Sequence, residues 1–163
     1  MKSDVKITGN RLQITRTFDA PRPRVFAAFA DPAQLQCWTG CKDAENVKCQ
    51  SDFRVGGRFT TKMHIGGHAH CDCTFTGIYE EILEPQKLVY SMDVGAAVTR
   101  ISIEFFEEGP QTRIVLTQEG VPGEIIKFIE QGTLESFDKL DAVLAVQDAG
   151  GPRALHAAAP PSV

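Results

Sequence analysis

The sequence predicts an α+β domain in which a curved antiparallel sheet packs around a long C-terminal helix. Two observations lead to this fold class. Apolar and polar residues alternate in short runs over residues 47–118, which is typical of strands. From residue 123 to residue 147 the apolar residues recur every three or four positions, which is typical of one helix. Since the sheet must bury one face and the helix has one apolar stripe, we expect the two to pack on each other.

One more strand and two short helices are predicted before this sheet. Residues 11–18 alternate apolar and polar side chains and predict a strand. Asp19 and Pro21 then form a helix start signal, with Asp as a candidate cap and Pro in the first turn. Asp31 and Pro32 repeat that signal and predict a second short helix.

Glycines divide the strand-rich region, where we expect five or six strands. Gly66 and Gly67 together are a strong hairpin signal. The strand that follows, residues 68–83, contains Gly77. An isolated glycine within a strand suggests a bulge or a bend at that position.

The last helix carries its apolar side chains on one stripe, formed by Ile126, Ile129, Thr133, Phe137, Leu140 and Leu144. Gly132 and Thr133 are small residues among these larger ones, although Gly in a helix costs about 1 kcal/mol relative to Ala. Two interpretations are open. Gly132 and Thr133 widen a gap between the helix and the bent sheet, or Gly132 permits close packing of the helix backbone.

The chain length of 163 residues fits one domain, which we place at residues 1–147. Residues 148–163 are rich in Gly, Pro and Ala and show no apolar periodicity, so we expect a flexible tail, in which His156 has no role.

The bulk composition excludes several classes of partner. A net charge of −4 does not suggest nucleic acid or an anionic membrane surface. The sequence has neither a signal peptide nor a run of about 20 apolar residues, so we expect a cytoplasmic protein without a membrane partner. The oligomeric state is left open between monomer and homodimer.

The cysteines predict free thiols rather than a disulfide scaffold. Their number is odd, since there are five, Cys37, Cys41, Cys49, Cys71 and Cys73, and no signal peptide accompanies them. Residues 64–73 combine three His, two Cys and an Asp, all of which zinc accepts as ligands. Their spacing is not that of usual zinc sites, so we predict no metal and no cofactor.

The same segment supplies the candidates for a general base. His64 or His70 could serve, with Asp72 or Glu80 nearby, if the side chain pointed into a pocket. The sequence contains no serine nucleophile elbow, phosphate-binding loop or metalloprotease helix motif, so we name no catalytic residue.

The order of these signals resembles a known family. The matching segments are residues 14–21 (ITRTFDAP), 53–59 (FRVGGRF), 77–82 (GIYEEI) and 134–144 (LESFDKLDAVL), within a resemblance that covers about residues 7–147. They resemble homologues of the activator of heat-shock protein 90 ATPase, the Aha-type branch of the SRPBCC/START-like superfamily. The resemblance implies a helix-grip fold like that of the START and birch-pollen-allergen proteins, with two short helices after the first strand.

Three positions depart from the family pattern. Val55 stands where the family usually has Pro, and Gly132-Thr133 where it usually has Gly-Trp. The loop after Trp38 also differs from the usual Gly-Pro pair. We therefore expect the shape of the pocket to differ from that of relatives.

The resemblance implies a cavity between the sheet and the last helix, and we predict that a small hydrophobic molecule binds there. The predicted ligand-binding residues are Trp38, Phe59, Met63, Phe75, Tyr79, Tyr90, Phe128, Thr133 and Phe137. Two alternatives are a cyclase- or hydrolase-type enzyme that uses the same pocket and a co-chaperone-like partner in a stress response. We expect a binding protein rather than an enzyme.

Overall fold

An eight-stranded antiparallel sheet forms the frame of the computed structural model, which describes residues 3–67 and 71–150. The elements in chain order are β1 (Ser3–Thr8), β2 (Arg11–Phe18), α1 (Arg22–Ala30), α2 (Pro32–Trp38), β3 (Ala44–Ser51), β4 (Arg58–Ile65), β5 (Cys71–Leu83), β6 (Lys87–Asp93), β7 (Val98–Glu108), β8 (Gln111–Glu119) and α3 (Ile126–Gly150). The spatial order is β1-β2-β8-β7-β6-β5-β4-β3. The curved sheet with a long C-terminal helix confirms the predicted α+β fold class.

The core lies between the inner face of the sheet and α3. Along β2, β4 and β8 every second residue is buried, as expected for strands with one face against the core. Phe18 on β2 meets Phe137 on α3 edge to face, with ring centroids 5.5 Å apart. This contact joins the first long strand to the last helix.

The two short helices form between β2 and β3, as predicted, but only one of them starts in the predicted way. Asp31 caps α2, because its carboxylate accepts a hydrogen bond from the backbone N–H of Ala33 at 3.0 Å. The expectation that Asp19 caps α1 is wrong, since α1 begins at Arg22 and Pro21 occupies the cap position.

A buried ion pair and a second arginine hold α3 against the rest of the molecule. The guanidinium of Arg16, 3% exposed, contacts the carboxylates of Asp138, at 2.8 Å, and Asp141. Arg24 on α1 donates to the backbone oxygen of Leu144 at 3.0 Å. These two buried cations therefore have structural partners.

The structure also differs from the sequence-based expectations at the chain ends. β1 was not predicted, because it is a short edge strand with mostly exposed side chains, in which only Val5 and Ile7 alternate with polar residues. α3 begins three residues later than predicted and continues to Gly150. The predicted tail beyond this point, with His156, lies outside the described residues, and its flexibility stays a prediction.

Gly77 is not the site of a bulge. It pairs regularly with Phe59 and Met92, and the register shift in β5 lies between Tyr79 and Glu81. A Cβ atom at position 77 would lie 2.0 Å from the backbone oxygen of Ser91 and 2.4 Å from the ring of Phe59. Close packing therefore requires the glycine at this position.

Within residues 3–67 and 71–150, no helix is both long enough and apolar enough to cross a membrane.

Candidate functional site

A cavity of about 610 Å³ lies between the inner face of the sheet and the N-terminal half of α3. Strands β4 to β8 supply its floor through the side chains that alternate inward. The end of α2 and the loop of residues 39–43 close one side. The site is thus built from elements that are far apart in sequence.

All nine side chains predicted to bind a ligand line this cavity. They are Trp38 at the end of α2, Phe59 and Met63 on β4, Phe75 and Tyr79 on β5, Tyr90 on β6, and Phe128, Thr133 and Phe137 on α3. Their location is a finding of the structure, whereas their binding of a ligand stays a prediction.

Trp38 and Phe137 form the closed end of the cavity. Trp38 is 5% exposed, and its indole N–H donates to the backbone oxygen of Ala28 at 3.0 Å. Its ring packs against Phe29 at 4.8 Å and against Phe137 at 6.3 Å. Both side chains are therefore fixed by the core. In contrast, Phe128 is 68% exposed and lies at the mouth.

Gly132 faces open space. No heavy atom among the described residues outside its own helical turns lies within 4 Å of the Cβ atom that a larger residue would carry there. The interpretation that Gly132 permits close packing is therefore wrong, and the interpretation that it widens the gap agrees with the structure. The neighbouring Thr133 donates its hydroxyl to the backbone oxygen of Ile129 at 2.9 Å, so its methyl group is left for the cavity.

An aromatic cluster forms the floor on the β4–β6 side. The ring centroids of Phe59 and Tyr79, and those of Phe59 and Tyr90, are 5.3 Å apart, and those of the two tyrosines 6.1 Å. Phe59 lies directly over Gly77, where a side chain would displace its ring. The backbone of β5 thus supports the position of Phe59.

Both tyrosines bring hydroxyl groups into this apolar environment. Burial raises the pKa of Tyr79 to about 12, and the nearby Ser51 hydroxyl opposes that shift. Burial also raises the pKa of Tyr90, to which the proximity of Tyr79 adds. Both groups are therefore neutral hydrogen-bonding hydroxyls at physiological pH.

Gln118 on β8 is a polar lining residue that was missed in the sequence. Its side chain is 2% exposed, and its amide N–H donates to Thr99 Oγ1 at 3.0 Å. Thr99 in turn donates to the backbone oxygen of Met92 at 3.0 Å. The available signal was a polar residue at an inward position, two residues after the buried Leu116.

The loop after α2 is held by side chains of α3. The Ser136 hydroxyl accepts a hydrogen bond from the backbone N–H of Gly40 at 2.9 Å. The ammonium group of Lys139 lies 3.3 Å from the backbone oxygen of Thr39 and 3.2 Å from that of Cys41, and burial lowers the pKa of this lysine. These contacts join residues about one hundred positions apart, so no local sequence pattern could predict them.

Glu135 provides a further contact to the same loop. Its carboxylate accepts a hydrogen bond from the backbone N–H of Lys42 at 2.9 Å, and this hydrogen bond holds the pKa of Glu135 below its usual value. Lys42, Asp43 and Glu135 are the charged lining residues, and they lie at the rim of the cavity.

The candidate general bases do not lie in the cavity where the structure describes them. His64 alternates with the inward Met63 and Ile65 and therefore points to the outer face of β4, where its Nδ1 atom lies 2.7 Å from Asp72. Glu80, on β5, pairs with Arg100 at 2.9 Å and is also exposed. His68 and His70 lie outside the described residues.

The cysteines in the described chain are free thiols. Cys71 and Cys73 lie on the inner face of β5 with their sulfur atoms 3.6 Å apart. Burial and the neighbouring Cys71 raise the pKa of Cys73 to about 11. No three His, Cys, Asp or Glu side chains in residues 3–67 and 71–150 converge as metal ligands, and the absence of a bound metal stays a prediction.

Solved structures show the same fold. A protein from Chromobacterium violaceum is 24% identical, with a TM-score of 0.73, and the match covers 83% of this chain and 97% of that one. A protein from Rhodobacter sphaeroides is 19% identical, with a TM-score of 0.77, and the match covers 89% and 99%. A protein from Mycobacterium smegmatis is 23% identical, with a TM-score of 0.72 and coverage of 88% and 98%.

Sequence comparison gives the family. No curated protein matches the chain. The profile of the family described as activator of Hsp90 ATPase homolog 1-like protein matches residues 19–145, which is most of the chain. This agrees with the motifs in the sequence and with the fold of the solved structures. The chain therefore belongs to the activator of Hsp90 ATPase homolog 1-like family, within the SRPBCC superfamily.

Proposed function

We propose that the protein binds a small hydrophobic molecule in the cavity between the sheet and α3. The observation that carries the proposal is the cavity itself. Its volume of about 610 Å³ falls within the range of roughly 300–1,000 Å³ that is usual for ligand sites. Its walls are mainly aromatic and aliphatic side chains with a few polar groups, which is the composition expected of such a site.

The energetics favour an occupant. Protein interiors are close-packed, and voids much larger than a water molecule are rare because their walls lose dispersion contacts. At Gly132 the chain keeps the space open, although Ala would be more favourable in a helix by about 1 kcal/mol. An apolar ligand would recover roughly 25 cal/mol for each Å² of apolar surface removed from water.

The enzyme alternative gains no support from its described candidate bases, since His64, Asp72 and Glu80 lie on the outer face of the sheet. The co-chaperone alternative would require an exposed apolar patch near Trp38 or on the outer face. Trp38 is buried, and the outward Phe106 is covered by the guanidinium of Arg113, 4.4 Å from its ring centroid.

A cavity-filling variant tests the proposal. Thermal unfolding of the protein is measured with neutral lipids, fatty acids and aromatic compounds, and native mass spectrometry of freshly purified protein shows whether a ligand is retained. We expect at least one apolar compound to raise the unfolding temperature of the natural protein. Gly132→Trp should abolish this increase, because the indole would occupy the cavity.

Gly132→Ala is the matched control. It also removes the glycine from the helix but adds only a methyl group to the open space. We expect it to retain the ligand response. The proposal is wrong if no compound stabilises the natural protein, or if Gly132→Trp responds to ligands as strongly as Gly132→Ala does.

A further inference from the structure

Two polar side chains stand in one row on the floor of the cavity. Tyr90 on β6 pairs with Ile101 on β7, and Ile101 pairs with Gln118 on β8. All three line the cavity. Neighbouring strands are about 4.8 Å apart, so the backbones of Tyr90 and Gln118 are separated by roughly 10 Å. One small molecule resting on this floor can contact both side chains.

The Tyr90 hydroxyl is available to such a molecule. Its ring is held between Phe59 and Tyr79, and no hydrogen bond from a described residue contributes to the raised pKa of its hydroxyl. The side chain is surrounded by protein, yet it keeps accessible surface, which must face the cavity. A phenol in this position donates a hydrogen bond most favourably to an acceptor on the occupant of the cavity.

The carboxamide of Gln118 has a fixed orientation, which leaves its carbonyl oxygen for a ligand. The Thr99 hydroxyl donates to the backbone oxygen of Met92 and must therefore accept from the amide N–H of Gln118. This places the carbonyl oxygen of Gln118 on the other side of the carboxamide, where no hydrogen bond to it is formed among the described residues. A side chain that is 2% exposed thus presents an acceptor without a protein partner in the cavity wall.

The deep part of the cavity contains no charge among the described residues. The charged lining residues Lys42, Asp43 and Glu135 lie at the rim. The buried cation Arg16 is engaged by two carboxylates and is not part of the wall. A ligand carboxylate or ammonium group at the floor would therefore be desolvated without a counter-ion, which is strongly unfavourable.

We infer that the cavity selects an uncharged, oxygenated apolar molecule, with an acceptor that receives a hydrogen bond from Tyr90 and a hydroxyl-type donor that reaches the carbonyl oxygen of Gln118. The inference rests on the proposed function and narrows it. Plain hydrocarbons leave both polar groups unsatisfied, and anionic lipids place an uncompensated charge at the floor or leave their headgroup at the rim. Hydroxylated aromatic compounds are the class that fits.

Three probes with the same bicyclic ring test the inference: naphthalene, 2-naphthol and 2-naphthoate. They differ in having no polar group, a neutral hydroxyl or a carboxylate. Affinities for the full chain are measured by calorimetry or by probe fluorescence. We expect 2-naphthol to bind most tightly, by about 5-fold or more over naphthalene, which is the contribution of one net hydrogen bond.

The variant Tyr90→Phe removes one hydroxyl and keeps the ring. We expect it to weaken 2-naphthol about 5-fold and to leave naphthalene unchanged. Thr117→Val is the matched control, because it removes a hydroxyl beside Gln118 from the face of β8 that is turned away from the cavity, and it should leave the preference for 2-naphthol intact. Gln118→Met, of similar length, tests the second contact and should also reduce that preference.

The outcomes separate this inference from the proposed function. If none of the three probes, and no compound of the wider screen, binds the natural protein, the proposed function itself is wrong. If naphthalene binds as tightly as 2-naphthol, or 2-naphthoate binds most tightly, the cavity binds ligands but the inference is overturned. Equal losses in Tyr90→Phe and Thr117→Val would likewise overturn it.

Discussion

The two halves of α3 face different environments on the same sheet. In the packed half, Phe137, Leu140 and Leu144 are at most 2% exposed and meet β2 and the two short helices. In the open half, Phe128 is 68% exposed, and Gly132 has empty space where a side chain would be. One helix thus combines two tasks. Its second half closes the core, while its first half forms the wall of a cavity.

The difference continues beneath the helix. Under the packed half the ring of Phe105 on β7 meets those of Phe26 and Phe29 on α1 edge to face, with centroids 5.1 and 5.4 Å apart. Under the open half the rings of Phe59 and Tyr90 lie on the floor and leave the space above them empty. Stability and the proposed ligand binding therefore belong to different ends of the same interior.

The largest expected effect comes from truncation in the packed half. Leu140 is fully buried, so Leu140→Ala should lower the free energy of unfolding by about 2–5 kcal/mol through lost burial and the cavity left behind. Phe128→Ala removes a larger side chain from the same helix but from an exposed position, and should change stability by less than about 0.5 kcal/mol. Urea unfolding measures both. Equal losses would contradict the division of α3 into two halves.

The two glycines at the floor and in the wall should respond in opposite directions to the same substitution. Gly77→Ala forces a methyl group into the backbone of β6 and the ring of Phe59, and should destabilise the protein by about 2 kcal/mol or more. Gly132→Ala meets open space and should stabilise it by up to about 1 kcal/mol. Thermal and urea unfolding of the two variants provide the test. A loss of stability in Gly132→Ala would show that the space near α3 is smaller than described.

The smallest effect concerns the rim of the open half. The backbone N–H of Lys42 lowers the pKa of Glu135, so the folded state binds that proton less readily than the unfolded chain does. The stabilisation is present above the usual pKa of about 4.5 and is lost as the pH falls through the lower pKa of the folded state.

Glu135→Gln should therefore reduce stability slightly at pH 7, by less than about 1 kcal/mol, because the group is only partly buried and is screened by solvent. The difference from the natural protein should disappear near pH 3. Glu124→Gln, in the turn before α3, changes the net charge equally and serves as the control. Unfolding free energies measured between pH 7 and pH 3 test this prediction. A stability difference between Glu135→Gln and the natural protein that grows on acidification would contradict the lowered pKa of Glu135.

Much of the fold followed from local patterns. β2, the two short helices and α3 were predicted because their apolar periods and the Asp31-Pro32 start signal act within a few residues. β1 was not predicted because its alternation is limited to Val5 and Ile7, and it is its pairing with β2 that fixes it as a strand. Strand pairing is a property of two segments and cannot be seen in one.

The candidate site shows the same limit. The aromatic residues of the wall could be named in advance, since large apolar side chains in inward strand positions must face the interior. The role of Gln118 could not be predicted, because the orientation of its carboxamide depends on the hydrogen bond to Thr99 and on the pairing of β7 with β8. The outward position of His64 likewise follows from the register of β4 and not from its neighbours in sequence.

The sequence by itself determined the fold class, the family resemblance and the presence of small residues in the middle of α3, because these depend on periodicity and on the order of short motifs. Only the tertiary structure decided which of two meanings Gly132 has, and that Gly77 supports a ring rather than a bulge. The physical reason is the same in both cases. A glycine in the sequence shows only that a side chain is absent. The surrounding atoms determine whether the space of that side chain is filled by a neighbour or left open.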